Sequence, residues 1–250
     1  MKRLFSILCV VFLSVAAIQA QDVTVDEIID NYLENIGGVE AWKEVKSMKM
    51  TGVVNQMGME LPSEVISMEP NLTKITVEVQ GMTMIPQAYD GENGWMINPF
   101  AGGTDATKMP EEAAEEMAKQ PFQDEFIDYK EKGSTVVLSD EVKEIDGTET
   151  YEVKLVNKHG DEKFYYFDTE NFVPIMQKQT ISTGPMKGST IETYVSDYKE
   201  VGDLMIAHSM EVKGAQGFVM TMEKIEVNPE DVTKASFMMP AKEEKEEEKQ

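Results

Sequence analysis

Residues 72–99 read LTKITVEVQGMTMIPQAYDGENGWMINP. Ile75, Val77 and Val79 alternate with Lys74, Thr76 and Glu78, a period of two that sends apolar side chains to one face of a strand and polar ones to the other. Gly81 interrupts the run, Met82 and Met84 resume it, and Asp90-Gly91-Glu92-Asn93-Gly94 is a cluster of turn formers ahead of Trp95 and Ile97. This stretch is therefore a series of short strands joined by tight turns. The same signature predicts strands at 46–57, 61–69, 72–80, 82–89 and 94–99, broken at Pro62 and Pro70-Asn71. Further strands are predicted at 134–145, 149–158, 162–168, 173–182, 189–198, 204–213 and 216–227, with hairpin signals at Asp146-Gly147 and His159-Gly160-Asp161.

Methionine recurs at the strand period: Met48/Met50, Met57/Met59, Met82/Met84 and Met220/Met222. Strands favour branched and aromatic side chains, whereas methionine is unbranched, soft and suited to surfaces that accept more than one shape. The candidate ligand-lining residues are accordingly Met48, Met50, Ile66, Met68, Met82, Met84, Trp95, Phe218, Met220 and Met222, with Phe122 and Phe126 from a central insertion. For any one of these residues an ordinary core position is the competing assignment; together they favour a compliant apolar cavity.

Two helical segments punctuate the strands. Thr24 and Glu27 have capping-box spacing, Ile28, Ile29, Tyr32, Leu33 and Ile36 follow at helical spacing, and Gly37-Gly38 ends the segment. A short turn, 39–45, carries Trp42. Pro110 opens a second helix over 111–120 and Pro121 stops it. The even strand spacing on both sides of this insertion, with no repeat of solenoid or propeller length, predicts one mainly β, α+β domain over 21–240. Its architecture is a large curved antiparallel sheet, a half-open barrel with helices on the concave face. Residues 241–250 are nearly all Lys and Glu and read as a charged, disordered tail.

Lys2-Arg3, the apolar run Leu4–Ile18 and Ala20 read as a secretory leader, with cleavage expected after Ala20; an uncleaved anchor is the alternative, which the shortness of the apolar run disfavours. Cys9 lies within it, so the exported chain has no thiol and no disulfide, and its stability must come from its core. Removing Lys2 and Arg3 takes the formal charge from −23 to −25 and removes the only arginine. Such a chain is a poor ligand for nucleic acid or for an anionic lipid surface. No cofactor is expected.

The residues offer little for catalysis. His159 sits in a predicted hairpin turn and His208 on a strand beside Ile206 and Met210, neither near a nucleophile-elbow pattern. The acidic clusters Asp161-Glu162 and Asp168-Thr169-Glu170-Asn171 have the composition of solvated turns and no calcium-loop spacing. No phosphate loop or zinc spacing occurs.

The ordered pattern of IIDNYLENIGGVEAWKEVKSMKMTG (28–52), AYDGENGWMINP (88–99), MPEEAAEEMAKQPF (109–122), FYYFDTENFVPIMQKQT (164–180), GPMKG (184–188) and SDYKEVGDLMIAHSM (196–210) resembles the outer-membrane lipoprotein-sorting protein family, the LolA/LolB-like fold. The resemblance covers about Val23 to Pro240. It implies an unclosed antiparallel barrel around a hydrophobic cavity, with helices 24–36 and 109–129 as plug and lid. It further implies a monomeric, non-enzymatic periplasmic carrier of lipid or acylated lipoprotein cargo that works with envelope lipoprotein-transport partners. The well-studied carriers of that family latch the lid with an arginine on an early strand; this exported chain has none, and Lys49 and Lys74 are the candidate replacements. A structural module with a self-filled core is the alternative, and a hydrolase centred on His208 a third reading.

Overall fold

The computed structural model describes residues 23–241, except Gly102, 184–186 and 215–216. The predicted leader with Cys9, residues 242–250 of the predicted tail and the first three residues of the 184–188 motif lie outside the described residues. Thirteen strands form one antiparallel sheet: β1 (Ser47–Gln56), β2 (Met59–Met68), β3 (Leu72–Val79), β4 (Met82–Tyr89), β5 (Gly94–Ile97), β6 (Thr107–Lys108), β7 (Thr135–Ile145), β8 (Thr148–Val156), β9 (Glu162–Asp168), β10 (Pro174–Thr180), β11 (Thr190–Val201), β12 (Leu204–Lys213) and β13 (Phe218–Val227). The predicted strands are all present within a few residues at their ends; the two-residue β6 carries no periodic signal and was not predicted.

The strand order is β6-β5-β4-β3-β2-β1-β13-β12-β11-β10-β9-β8-β7. Sequence neighbours pair throughout except β6 and β7, and the two runs are joined where β1 meets β13, paired from Met48↔Val227 to Asn55↔Val219. The sheet is not closed, and its two edges, β6 and β7, are consecutive in the chain. The connection between them, residues 109–134, therefore has to cross the open side.

Local irregularities follow from particular residues. The β3–β4 register slips between Ile75 and Val77, and the β4–β5 register between Ile85 and Ala88, around Pro86, which has no N–H to donate. Pro62 lies inside β2 opposite Val53 rather than ahead of the strand, and the β2–β3 ladder ends beside it at Ser63. At the bulge between Thr51 and Gly52, a Cβ on Gly52 would lie 2.0 Å from the Thr221 carbonyl oxygen, so only glycine lets β1 approach β13 there.

Helix α1 (Val25–Asn35) starts with the expected capping box: the Glu27 amide donates to Thr24 Oγ1 (3.2 Å) and the Thr24 amide to Glu27 Oε2 (2.8 Å). Its buried stripe, Ile28, Ile29, Tyr32 and Leu33, continued by Ile36, packs on Val153, Leu155, Tyr165 and Phe167 of β8 and β9. Helix α2 (Val39–Lys43) is held by a hydrogen bond from Trp42 Nε1 to the Ile36 carbonyl (3.0 Å). Helix α3 (Glu111–Lys119) lies over β4 and β5, with Ala114 against Gly94.

The opposite face of β2–β5 is covered by the segment after β13. Val232 and Phe237 pack on Ile66 and Leu72, and Met239 on the group formed by Ile85, Ala88, Trp95 and Ala106. Trp95 Nε1 donates to the Phe237 carbonyl (2.8 Å) and Lys74 Nζ to the Ser236 carbonyl (2.8 Å), while Lys49 pairs with Asp231 and Glu64.

Candidate functional site

Residues directly opposite each other in an antiparallel pair share a face of the sheet. From Met50↔Ile225 and Gly52↔Met222 through Val54↔Leu61, Ser63↔Val77, Val77↔Met84 and Val79↔Met82, one face is followed across six strands. It carries Met48, Met50, Met59, Met82, Met84, Met210, Met220 and Met222, together with Val54, Leu61, Val77 and Phe218. This is the face that bears the helices: Met48, Met50 and Met222 pack with Val45, Trp42, Leu204, Ile206, Ile225 and Phe122. Away from α2 the wall grows more accessible. Met220 is buried, Met84, Met210 and Phe218 are half-buried, and Met82 and Met59 are exposed.

The remaining candidates go elsewhere. Ile66 and Met68 face the other way, as does Trp95, opposite Ala88; all three lie beneath the C-terminal segment and cannot line the same volume as the methionines. Phe126 sits under α1, edge-on to Tyr165 (4.8 Å between centroids), Phe167 (5.5 Å) and Tyr32 (5.8 Å), as a core residue. Strand period assigns a residue to one of two faces but does not say which face a later segment will cover.

The segment 120–126 spans the mouth of the half-barrel. At one side the Phe122 amide donates to the Pro70 carbonyl (3.2 Å) and Asn71 Nδ2 to the Ala118 carbonyl (3.0 Å). At the other, Glu125 pairs with Lys163 (2.8 Å) and accepts a hydrogen bond from the Tyr165 hydroxyl. Tyr32 donates to Asp124 Oδ2 (2.6 Å), and Asp124 Oδ1 accepts from the Phe126 amide (2.8 Å). Lys43 pairs with Asp128 (2.8 Å). Among the described residues, Lys163 and Lys43 thus fasten this crossing, and its own Lys130 pairs with Asp26 of α1 (2.9 Å). Lys49 and Lys74, the candidates from the sequence, fasten the C-terminal segment to the opposite face instead.

Separate cavities flank Phe122. One of about 310 Å³ lies between Tyr32, Phe122, Tyr165, Met176, Val195 and Tyr198. One of about 470 Å³ lies between Pro70, Pro121, Phe122 and Lys132, and one of about 210 Å³ between Thr73, Gln87, Met117 and Phe122. Phe122 stands between them as a stopper with the methionine wall behind it.

Burial raises the Asp124 carboxyl above the ordinary aspartate range, opposed by the hydrogen bonds from Tyr32 and the Phe126 amide. Burial, reinforced by the neighbouring carboxylates Asp124 and Glu125, pushes the Tyr32 and Tyr165 hydroxyls well above theirs, so both stay neutral donors. Because folded Asp124 holds its proton to higher pH than the unfolded chain does, stability falls as pH rises from the ordinary aspartate value through the folded one. Asp124→Asn removes this titration. The Asn-minus-wild-type difference in Tm is therefore expected to be near zero at the acid end and positive at neutral pH. A pH-independent difference in thermal melts would show that Asp124 does not carry the effect.

The other groups considered for chemistry have structural partners. His208 is buried with Nδ1 2.8 Å from the Ile206 carbonyl oxygen. Asp168 accepts from the amides of Glu170 and Asn171, and Asn157 organises the turn that holds His159 and Asp161. Among the described residues no three His, Cys, Asp or Glu side chains gather as a metal site, and no helix is long and apolar enough to cross a membrane.

No protein-family model and no curated protein sequence matches the chain. Solved structures do. A DUF1329 family protein from Desulfovibrio piger superposes with a TM-score of 0.55 at 10% identity, over 86% of this chain and 97% of that one. A LolA superfamily protein from Nitrosomonas europaea gives 0.53 at 10% identity, over 86% and 98%. An outer membrane lipoprotein-sorting protein domain from Vibrio parahaemolyticus gives 0.50 at 12%, over 84% and 97%. The chain has the unclosed antiparallel barrel fold of these LolA-superfamily and DUF1329 proteins.

Proposed function

We propose that this chain is a periplasmic, non-enzymatic carrier whose methionine-lined face holds the acyl chains of a lipid or lipoprotein. The observation that carries this reading is the single-faced wall of eight methionines, covered at one end by Phe122 and accessible at the other. Unbranched thioether side chains repack around ligands of different shape and refill the space when the ligand leaves. The energetics suffice without catalytic groups. Each buried methylene contributes about 0.8 kcal/mol, so a chain of about fifteen gains on the order of 12 kcal/mol before the ordering of ligand and plug is subtracted. The cavities flanking Phe122 are the starting volume, and displacement of Phe122 would join them to the wall. The likeness of the fold to an outer membrane lipoprotein-sorting domain and to a LolA superfamily protein supports this reading.

Native mass spectrometry of the exported protein is expected to show bound lipid, and fluorescence titration with an acylated peptide to show micromolar or tighter binding. Met84→Asp, which places an unpaired carboxylate on the wall at a half-buried position, is expected to weaken binding about tenfold or more without unfolding the protein. Absence of both lipid and binding favours the second reading, a structural module whose concave face is filled by its own α1 and Phe122. The tight packing of α1 against Phe126 and Phe167 is the observation on that side.

A further inference from the structure

The hairpin tips at one end of this sheet lack charge. Strands β4, β3, β2, β1 and β13 are adjacent and antiparallel, so the β1–β2 and β3–β4 turns and the start of β13 share one end, as does the turn following β5. Four stretches run along their strands into that end: 50–59, 79–89, 94–101 and 218–222. None contains an Asp, Glu, Lys or Arg, in a chain with 28% charged residues and a formal charge of −23. The nearest charges are Glu60, Glu78 and Glu211, which lie opposite Asn55, Thr83 and Val219 on the other face, and Lys213 and Asp105 at the flanks. The end is also apolar and uncovered: Met57 is 92% exposed, Phe100 54%, Met59 47%, Met82 38% and Val219 36%.

The choice of Met57 is informative. Met57 and Gly58 both have positive φ (53° and 78°), the geometry of a tight hairpin turn that favours Asn, Asp or Gly at its first central position. The β7–β8 hairpin of the same chain has that geometry with Asp146 and Gly147 (49° and 87°). At the β1–β2 tip a large apolar side chain instead occupies the strained position and projects into solvent. At 92% exposure it gains little packing from the described residues in return.

We propose that this charge-free lip docks onto the surface of a lipid bilayer and inserts its methionines and Phe100 shallowly. The apolar side chains come from separate turns and strand ends: the β1–β2 turn, the start of β4, residues 99–101 and the start of β13. A fluid that closes around each tip fits them, whereas a rigid protein partner would need a complementary surface for each one. The charge distribution sets the kind of bilayer. A strongly acidic body is repelled by an anionic surface, so the lip suits a membrane of zwitterionic lipid, which it enters with no charge to desolvate. The methionine wall opens at this same lip, so docking would place cargo at the membrane; the surface itself rests on exposure and charge and not on the carrier reading.

The test uses the chain from Gln21 onward, which carries every described element and no cysteine. Met57→Cys is labelled with a polarity-sensitive fluorophore and mixed with phosphatidylcholine vesicles in the absence of cargo; a label at Asp161→Cys in the β8–β9 turn is the control. A blue shift at position 57 alone is expected, with co-flotation of the protein. Adding anionic phosphatidylglycerol should weaken the response, and Met59→Asp with Phe100→Asp should reduce partitioning about tenfold or more. No response at position 57, an equal response at both positions, or a vesicle-independent dimer that buries the label would each overturn the proposal. Because no acyl cargo is present, failure here leaves the peptide-binding result standing, and the reverse also holds.

Discussion

Phe126→Ala is expected to destabilise the protein by about 3–5 kcal/mol, the usual consequence of truncating a fully enclosed phenylalanine. In a domain of this size that corresponds to a fall in Tm of roughly 6–20 °C. Phe126 is 1% exposed and touches three rings edge-on, so its removal loses both apolar burial and the aromatic contacts with Tyr32, Tyr165 and Phe167. The consequence reaches the site through the chain itself. Phe126 lies two residues after Asp124 and four after Phe122, and it anchors the segment that crosses the open mouth. Thermal melts and acyl-peptide uptake measured on one sample should therefore move together: lower Tm and faster uptake, because the stopper is held less firmly. A loss below about 1 kcal/mol would mean that the aromatic group collapses into the vacated space and that the crossing is held by its polar contacts alone.

Phe237→Ala is expected to destabilise by a similar amount, about 3–5 kcal/mol, for the same physical reason. Phe237 is fully buried, fills the space between Ile66, Leu72 and Val232, and presents its carbonyl to Trp95. The two substitutions should differ in function. Phe237 lies on the face away from the methionines, so the folded fraction of Phe237→Ala should bind acylated peptide with unchanged affinity. Chemical denaturation measures the first effect and titration at a permissive temperature the second. Loss of binding from a folded Phe237→Ala protein would place the ligand on the C-terminal segment's side and remove the methionine wall from consideration.

The elements were legible because each depends on neighbours in sequence. The alternation of Ile75, Val77 and Val79, the capping box of Thr24 and Glu27, and the prolines around 111–120 are local signals, and the strands and helices formed where those signals placed them. The pairing of the methionines on one face also followed from period alone. The site was only half legible. Ile66, Met68 and Trp95 have the same period and apolarity as Met48 and Met220, yet they face the opposite side under residues 229–239, a segment without periodicity that gave no signal of its own. Asp124 and Glu125 were also not singled out, since in a chain so rich in acidic residues no pattern distinguishes a carboxylate destined for burial from one on the surface.

By itself the sequence determined an acidic, antiparallel β protein with no cysteine beyond position 9, with soft apolar strands and a helical insertion between two strand runs. Propensity, period and turn chemistry act over a few residues and need no knowledge of the rest of the chain. Only the tertiary structure decided that β1 pairs with β13, that β6 and β7 are the two unpaired edges, and that Phe122 stands in the mouth between them. It also decided which face each apolar residue meets, and which lysines hold the crossing: Lys163 and Lys43 rather than Lys49 and Lys74. These are contacts between residues far apart in the chain, set by how one curved sheet and its two covering segments fill space together, and no local pattern encodes them.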